Sequence, residues 1–229
     1  VSVIVVDTNY DVGGHAILSG GNTALGGGTT AQKKYGIEDS PDILFRDLTD
    51  WSVVETSGMP DYRYNDRGVQ RALADNEAKN YDFLVANGVV FADQPPDNRG
   101  GHAIGVSARR ENHPIWDKGQ SLESPAGGNG TSLIRPLEAS ARKKGVRFLL
   151  NYHMDAIFRE QPDSGRVLGI QASYSPTILP GTTTPLGSFR SEGNIEMTAS
   201  TVTVRARKAI VTGTGGSSGN VNFRRIFDP

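Results

Sequence analysis

The sequence predicts an α/β domain: a parallel sheet with helices, carrying an antiparallel β insertion late in the chain. Three observations support this. The apolar run SVIVVD (2–7) ends in an acid, as a buried parallel strand does. SLIRPLEASARKKGVRFLL (132–150) reads as helix, glycine stop and strand, which is half of a βαβ crossover. From about 166 to 207 apolar and polar residues alternate, the period of antiparallel strands.

Composition sets the outer bounds. The 229 residues are 36% hydrophobic and 21% charged, enough to bury a core. Lys plus Arg is 24 and Asp plus Glu is 25, a net charge of −1 that offers no pull toward nucleic acid or an anionic membrane. No apolar run approaches the ~20 residues that cross a bilayer. The lack of cysteine excludes disulfides, thiolate ligation and cysteine nucleophiles, and no metal site is expected. Nothing in the residues assigns a compartment.

After the first strand comes GGHAILSGGNTALGGG (13–28). Glycine loses the most conformational freedom on folding, so this run is either a linker or a place where backbone must approach something closely. Ser40-Pro41-Asp42 has the pattern of a helix start, with Ser as N-cap and Pro in the first position. Ile43, Leu44 and Leu48 follow on one face. Residues 66–87 predict a second amphipathic helix, with Val69, Leu73, Ala78, Phe83 and Leu84 toward a core and Gly88 as the stop. The polar stretch 89–130 contains His102 and His113 among several arginines, and long irregular stretches in a domain are more often functional than idle. A helix over 132–144 then carries its basic residues late, where they suit the macrodipole, and Gly145 ends it before a strand at 146–150. GRVLGIQASY (165–174) and NIEMTASTVTVRARKAIVTG (194–213) predict a hairpin or meander. A last strand at Ala209–Val211 runs into a second glycine cluster.

A strand that ends in a carboxylate and is followed by glycines is what a dinucleotide site needs. The acid accepts hydrogen bonds from a ribose diol, and the glycines let backbone N–H groups reach phosphate or ring acceptors. A bland loop explains such clusters equally well, and both readings stand on the residues alone.

The order of the pieces resembles the FAD-binding flavoproteins of the fumarate reductase, succinate dehydrogenase flavoprotein subunit and 3-ketosteroid dehydrogenase group. Asp7 is followed by TNYDV and then Gly13-Gly14, the spacing that the group places after an acidic strand end, with Asp here for its Glu. His15-Ala-Ile-Leu-Ser19-Gly20-Gly21 is similar to the next small-Gly-Gly element. IEDSPDILFRDL, GRVLGIQ and ARKAIVTGTGGSSGNVNFRRIFDP resemble later blocks in register.

The resemblance implies a Rossmann-like FAD-binding domain with FAD held by Asp7, Gly13, Gly14, His15, Ser19, Gly20, Gly21, Met154, Thr214, Gly215 and Gly216. It implies an FAD-dependent oxidoreductase that exchanges hydride with a small organic substrate, across a C–C bond next to a carbonyl or carboxylate as in fumarate reductases. His15 stands near a position where some relatives bond the flavin covalently, and a non-covalent contact is expected here. His113 and Arg109 are the candidate catalytic residues; His102 and Arg110 share their loop, and solvated surface groups are the alternative for all four. The group's G-x-G-x-x-G turn is expected before Val1 and its capping domain after Pro229. Residues 1–229 are therefore expected to be an incomplete FAD-binding domain, inactive alone and completed by the remainder of the polypeptide or a complementary chain. The competing readings are a non-catalytic flavin-fold scaffold and a nicotinamide-dependent enzyme, the latter disfavoured by the antiparallel insertion.

Overall fold

The computed structural model describes residues 2–52, 66–98, 107–115, 130–178, 181–183, 194–195 and 200–215. Along the chain come β1 (Ile4–Val6), α1 (Gly14–Leu18), β2 (Thr23–Ala24), α2 (Thr30–Lys34), α3 (Pro41–Ser52), α4 (Arg67–Ala86), β3 (Val90–Phe91) and β4 (Glu111–Asn112). Then follow β5 (Pro114–Ile115), α5 (Gly130–Lys143), β6 (Arg147–Leu149), β7 (Tyr152–Arg159), β8 (Val167–Tyr174), β9 (Thr177–Ile178), β10 (Asn194–Ile195) and β11 (Thr201–Arg205).

The apolar runs that open the chain and follow α5 become neighbours: β1 pairs in parallel with β6, Val5 opposite Phe148. Among the described residues this is a two-stranded sheet, narrower than the parallel sheet the sequence predicts. The predicted antiparallel region is a three-stranded sheet in the order β11-β8-β7, and β7 begins it before residue 166. Pairs β2–β4 and β3–β5 bring residues 23–24 and 90–91 against the 111–115 segment. The predicted strand at Ala209–Val211 does not form: residues 206–215 join no ladder, and Val211 is 91% exposed. An alternating run without a partner strand has no ladder to hold it extended.

Helix ends follow local chemistry. The Ser40 hydroxyl accepts the Ile43 N–H at 3.2 Å, capping α3 with Pro41 in its first position. Asp66 caps α4 through the Val69 N–H at 3.0 Å. Gly88 (φ +94°) and Gly145 (φ +81°) end α4 and α5 in the left-handed conformation. Behind them the Val89 and Val146 N–H groups reach back to the Leu84 and Ala141 carbonyls, the closing bonds of Schellman motifs.

The face that α4 buries differs from the prediction. Gln70, Ala74, Glu77 and Tyr81 point inward, while Val69, Leu73 and Phe83 are 68%, 43% and 58% exposed. The helix is oriented by polar side chains that find partners. Gln70 Nε2 donates to the Leu48 carbonyl at 3.0 Å, and Glu77 Oε2 accepts the Gly26 N–H at 2.8 Å. Tyr81 stacks on Phe91 with centroids 4.8 Å apart. The bonds of Gln70 Nε2 and Glu77 Oε2 offset the cost of burying these groups, although Gln70 Oε1 has no partner among the described residues, so the apolar stripe did not dictate the orientation.

Candidate functional site

The C-terminal end of β1 is where the sequence places an anionic ligand. The Asp7 N–H donates to the Leu149 carbonyl at 3.0 Å, and the Asp7 carbonyl accepts the Tyr152 N–H at 2.9 Å. The strand end is thus anchored between β6 and β7. Asp7 Oδ1 accepts the Asn9 N–H at 2.9 Å, and among the described residues Oδ2 has no partner. A half-buried carboxylate with one oxygen open suits a ribose diol.

Beside it stands Asn151, which the sequence reading missed. It is the one described non-glycine residue with positive φ, +62°, and its buried Oδ1 has no hydrogen-bond partner among the described residues. Its N–H donates to the Asn9 carbonyl at 2.9 Å. Asparagine tolerates this conformation, but an orphaned buried amide oxygen next to the Asp7 turn marks a place for a ligand donor. The Asn after FLL was the only available sequence signal. Met154 lies on β7, two residues beyond the Tyr152 bond to Asp7, and is half-buried.

The first glycine cluster begins where the Asp7 turn meets α1. Arg135 on α5 grips Asp11 with two bonds, Nη1–Oδ1 at 2.8 Å and Nη2–Oδ2 at 2.6 Å. Burial pushes the Asp11 carboxyl up, but the Arg135 guanidinium and the Val12 N–H outweigh it and hold the carboxyl below its ordinary range. That pair delivers the chain to Gly13, whose φ of +102° excludes most side chains and whose Cβ would lie 2.9 Å from Ile134. Gly14 and Gly20 differ: among the described residues nothing lies within 4 Å of where their Cβ atoms would be. Ser19 donates to the Ala16 carbonyl at 2.8 Å and accepts the Gly21 N–H at 3.2 Å. His15 is exposed on α1. Underneath, Gly130 starts α5 against α1, where any Cβ would overlap the Ala16 carbonyl.

Gly26–Gly28 faces protein instead. Three successive N–H groups are taken by buried side chains: Gly26 by Glu77, Gly27 by Asp39 at 2.8 Å, and Gly28 by Gln32 at 3.0 Å. Arg110 locks the group, bonding both Asp39 oxygens at 2.8 and 2.9 Å and Asp47 at 2.6 Å. Burial raises the Asp39 carboxyl, yet the bonds from Arg110, Gln32 and Gly27 bring it below its ordinary value. Burial dominates at Glu77 and pushes its carboxyl up.

The remaining candidates scatter. Arg110 is a structural ion-pair residue with a side chain 10% exposed, rather than a solvated or substrate-facing one. The Arg109 side chain is exposed, and its carbonyl accepts from Gln32 Nε2 at 2.9 Å. His113 sits between Asn22 and Asp97, its side chain 14% exposed. Thr214 and Gly215 are exposed, with nothing within 4 Å of a Gly215 Cβ, so no described contact brings them to Asp7 or the first glycine cluster. Gly216 and His102 lie outside the described residues. Among the described residues no helix is long and apolar enough to cross a membrane.

Residues 1–226 match the model of the FAD binding domain family. The chain belongs to this FAD-binding family. FAD is the family's cofactor, and the fold is similar to solved flavoenzymes. A 3-ketosteroid-Δ4-(5α)-dehydrogenase from Rhodococcus jostii RHA1 superposes with a TM-score of 0.61 at 24% identity, covering 90% of this chain and 39% of the dehydrogenase. A flavocytochrome c3 fumarate reductase in its open conformation gives 0.57 at 22%, covering 75% and 26%. A 3-ketosteroid Δ1-dehydrogenase from Sterolibacterium denitrificans gives 0.56 at 16%, covering 81% and 41%. The chain therefore spans well under half the length of these relatives.

Proposed function

We propose that this chain is the flavin-holding part of an FAD-dependent oxidoreductase that acts on a C–C bond next to a carbonyl or carboxylate. The observation that carries the reading is the open Asp7 carboxylate at the end of a parallel strand, followed at fixed spacing by Gly13, Gly14 and Gly20, in a chain of the FAD-binding family. Within this proposal residues 1–229 are one incomplete Rossmann-like FAD-binding domain with an antiparallel insertion over about 166–207. The remainder of the polypeptide or a complementary chain completes it.

When bound, FAD supplies the hydride-exchanging redox centre. The residues hold it. Asp7 accepts the ribose hydroxyls, and Asn151 Oδ1 receives a donor beside it. The open faces of Gly14 and Gly20 admit the cofactor against backbone, with Ser19 and Gly21 shaping the turn and His15 near it without a covalent bond. Met154 borders the same end of β1, and Thr214, Gly215 and Gly216 are assigned to the cofactor on the family resemblance alone. Arg135 positions the glycine turn through Asp11. The steroid dehydrogenases and the fumarate reductase to which the fold is similar support an unsaturated ketone or a dicarboxylate as substrate class.

Titrating the purified chain with FAD while following flavin fluorescence tests the binding half. Saturable quenching that Asp7→Asn weakens about tenfold or more supports it, and no saturable binding opposes it. Re-oxidation of dithionite-reduced, FAD-loaded full-length protein by fumarate or by 1,4-androstadiene-3,17-dione tests the substrate half. Bound flavin that neither acceptor re-oxidises would favour the scaffold reading.

A further inference from the structure

Away from the first glycine cluster, three ligating side chains converge. Asp97 and Glu111 face each other across an antiparallel bridge, each N–H donating to the other's carbonyl at 3.0 Å. His113 follows Glu111 by two residues, which puts both side chains on one face of an extended segment. One ligand atom from each of the three lies within 4.8 Å of the others, all half-buried.

The imidazole is held in a telling orientation. Nδ1 lies 3.0 Å from Asn22 Oδ1, an acceptor that favours the tautomer with the proton on Nδ1 and leaves Nε2 as the ligating atom. Nε2 then meets Asp97 Oδ2 at 2.9 Å. With the proton on Nδ1, the Nε2 lone pair and the Asp97 oxygen point at one place, which a cation between them can occupy. An Nδ1–H fixed by an outer-shell carbonyl is also how metal-binding histidines are oriented. Glu111 and His113 line a cavity of about 430 Å³ between α2, α4 and the 89–96 segment, which gives an entry path and room for water ligands.

We propose that Asp97, Glu111 and His113 form a binding site for a divalent first-row transition ion, with Zn²⁺ the best match. One imidazole with two carboxylates suits Zn²⁺, whereas Ca²⁺ and Mg²⁺ prefer all-oxygen shells. Three protein ligands leave at least one position open to water or to a ligand in the cavity. The site goes beyond the proposed function and requires no flavin.

The test is calorimetric titration of the chelator-treated chain with ZnCl₂, repeated with MgCl₂. The expected result is saturable one-to-one Zn²⁺ binding with far weaker Mg²⁺ binding. His113→Gln and Glu111→Gln should each weaken Zn²⁺ at least tenfold. Asn22→Leu, which removes only the orienting carbonyl, should weaken it about tenfold. Far-UV circular dichroism of each metal-free variant checks folding, and Glu111→Gln or Asn22→Leu carries the test if His113→Gln unfolds. Absence of saturable Zn²⁺ binding, binding that survives both ligand variants, or equal affinity for Mg²⁺ overturns the proposal.

Discussion

The two halves of GGHAILSGGNTALGGG look alike in sequence and arise from opposite physical causes. At Gly14 and Gly20 a Cβ would meet nothing within 4 Å among the described residues. At Gly26 it would lie 2.6 Å from Arg110 Nε and 2.7 Å from Asp39 Oδ2. The first cluster leaves backbone open at these two positions. The second is small because Glu77, Asp39, Gln32 and Arg110 fill the space and take its N–H groups. Glycine at the second cluster answers to close approach by the protein's own buried polar groups, whereas at Gly14 and Gly20 no described atom requires it, and the proposed cofactor is what would.

Removing the clamp should have the largest effect. Arg110→Ala leaves Asp39 and Asp47 buried without their cation, which costs about 3–5 kcal/mol. That is a large part of the stability of an ordinary domain, to be read from the urea midpoint. Gly26→Ala should cost about 1–3 kcal/mol by overpacking against Arg110, in the same assay. Asp7→Asn should reverse the pattern, weakening FAD about tenfold, or about 1.4 kcal/mol of binding, while leaving the urea midpoint of the apo chain nearly unchanged. Glu77→Gln should be the mildest. It keeps an oxygen for the Gly26 N–H and removes an ionisation that burial opposes, so stability at pH 7 should stay level or rise by less than about 1.5 kcal/mol.

These carboxylates also set the pH response. Asp39 and Asp11 are depressed in the folded state, so the stability they contribute is present above the ordinary carboxylate range and lost as pH falls through their lowered values. Glu77 is raised, so its contribution is complete in acid and lost as pH rises through the raised value. Denaturation at several pH values should therefore show an acid limb in the wild type, and Glu77→Gln should remove the decline on its alkaline side.

What the sequence made legible was local. Ser40-Pro41, Gly88 and Gly145 bound their helices because caps and stops act within one turn, and VSVIVVD and GVRFLL could each be read as strands because both are short apolar runs. The inward face of α4 was not legible, since Gln70 and Glu77 are buried by partners 22 and 51 residues away. Nor was the pairing of Arg110 with Asp39, 71 residues apart, which makes a loop arginine structural. Asn151 and the Asn22–His113–Asp97 line carry no motif; only the folded backbone brings them together.

FAD titration of Gly20→Val beside the wild type tests the contrast most directly. Gly20 needs no positive φ and has open space around it. The account predicts an unchanged urea midpoint for the apo chain together with FAD affinity at least tenfold weaker. An unchanged FAD affinity, with or without a loss of stability, would contradict it.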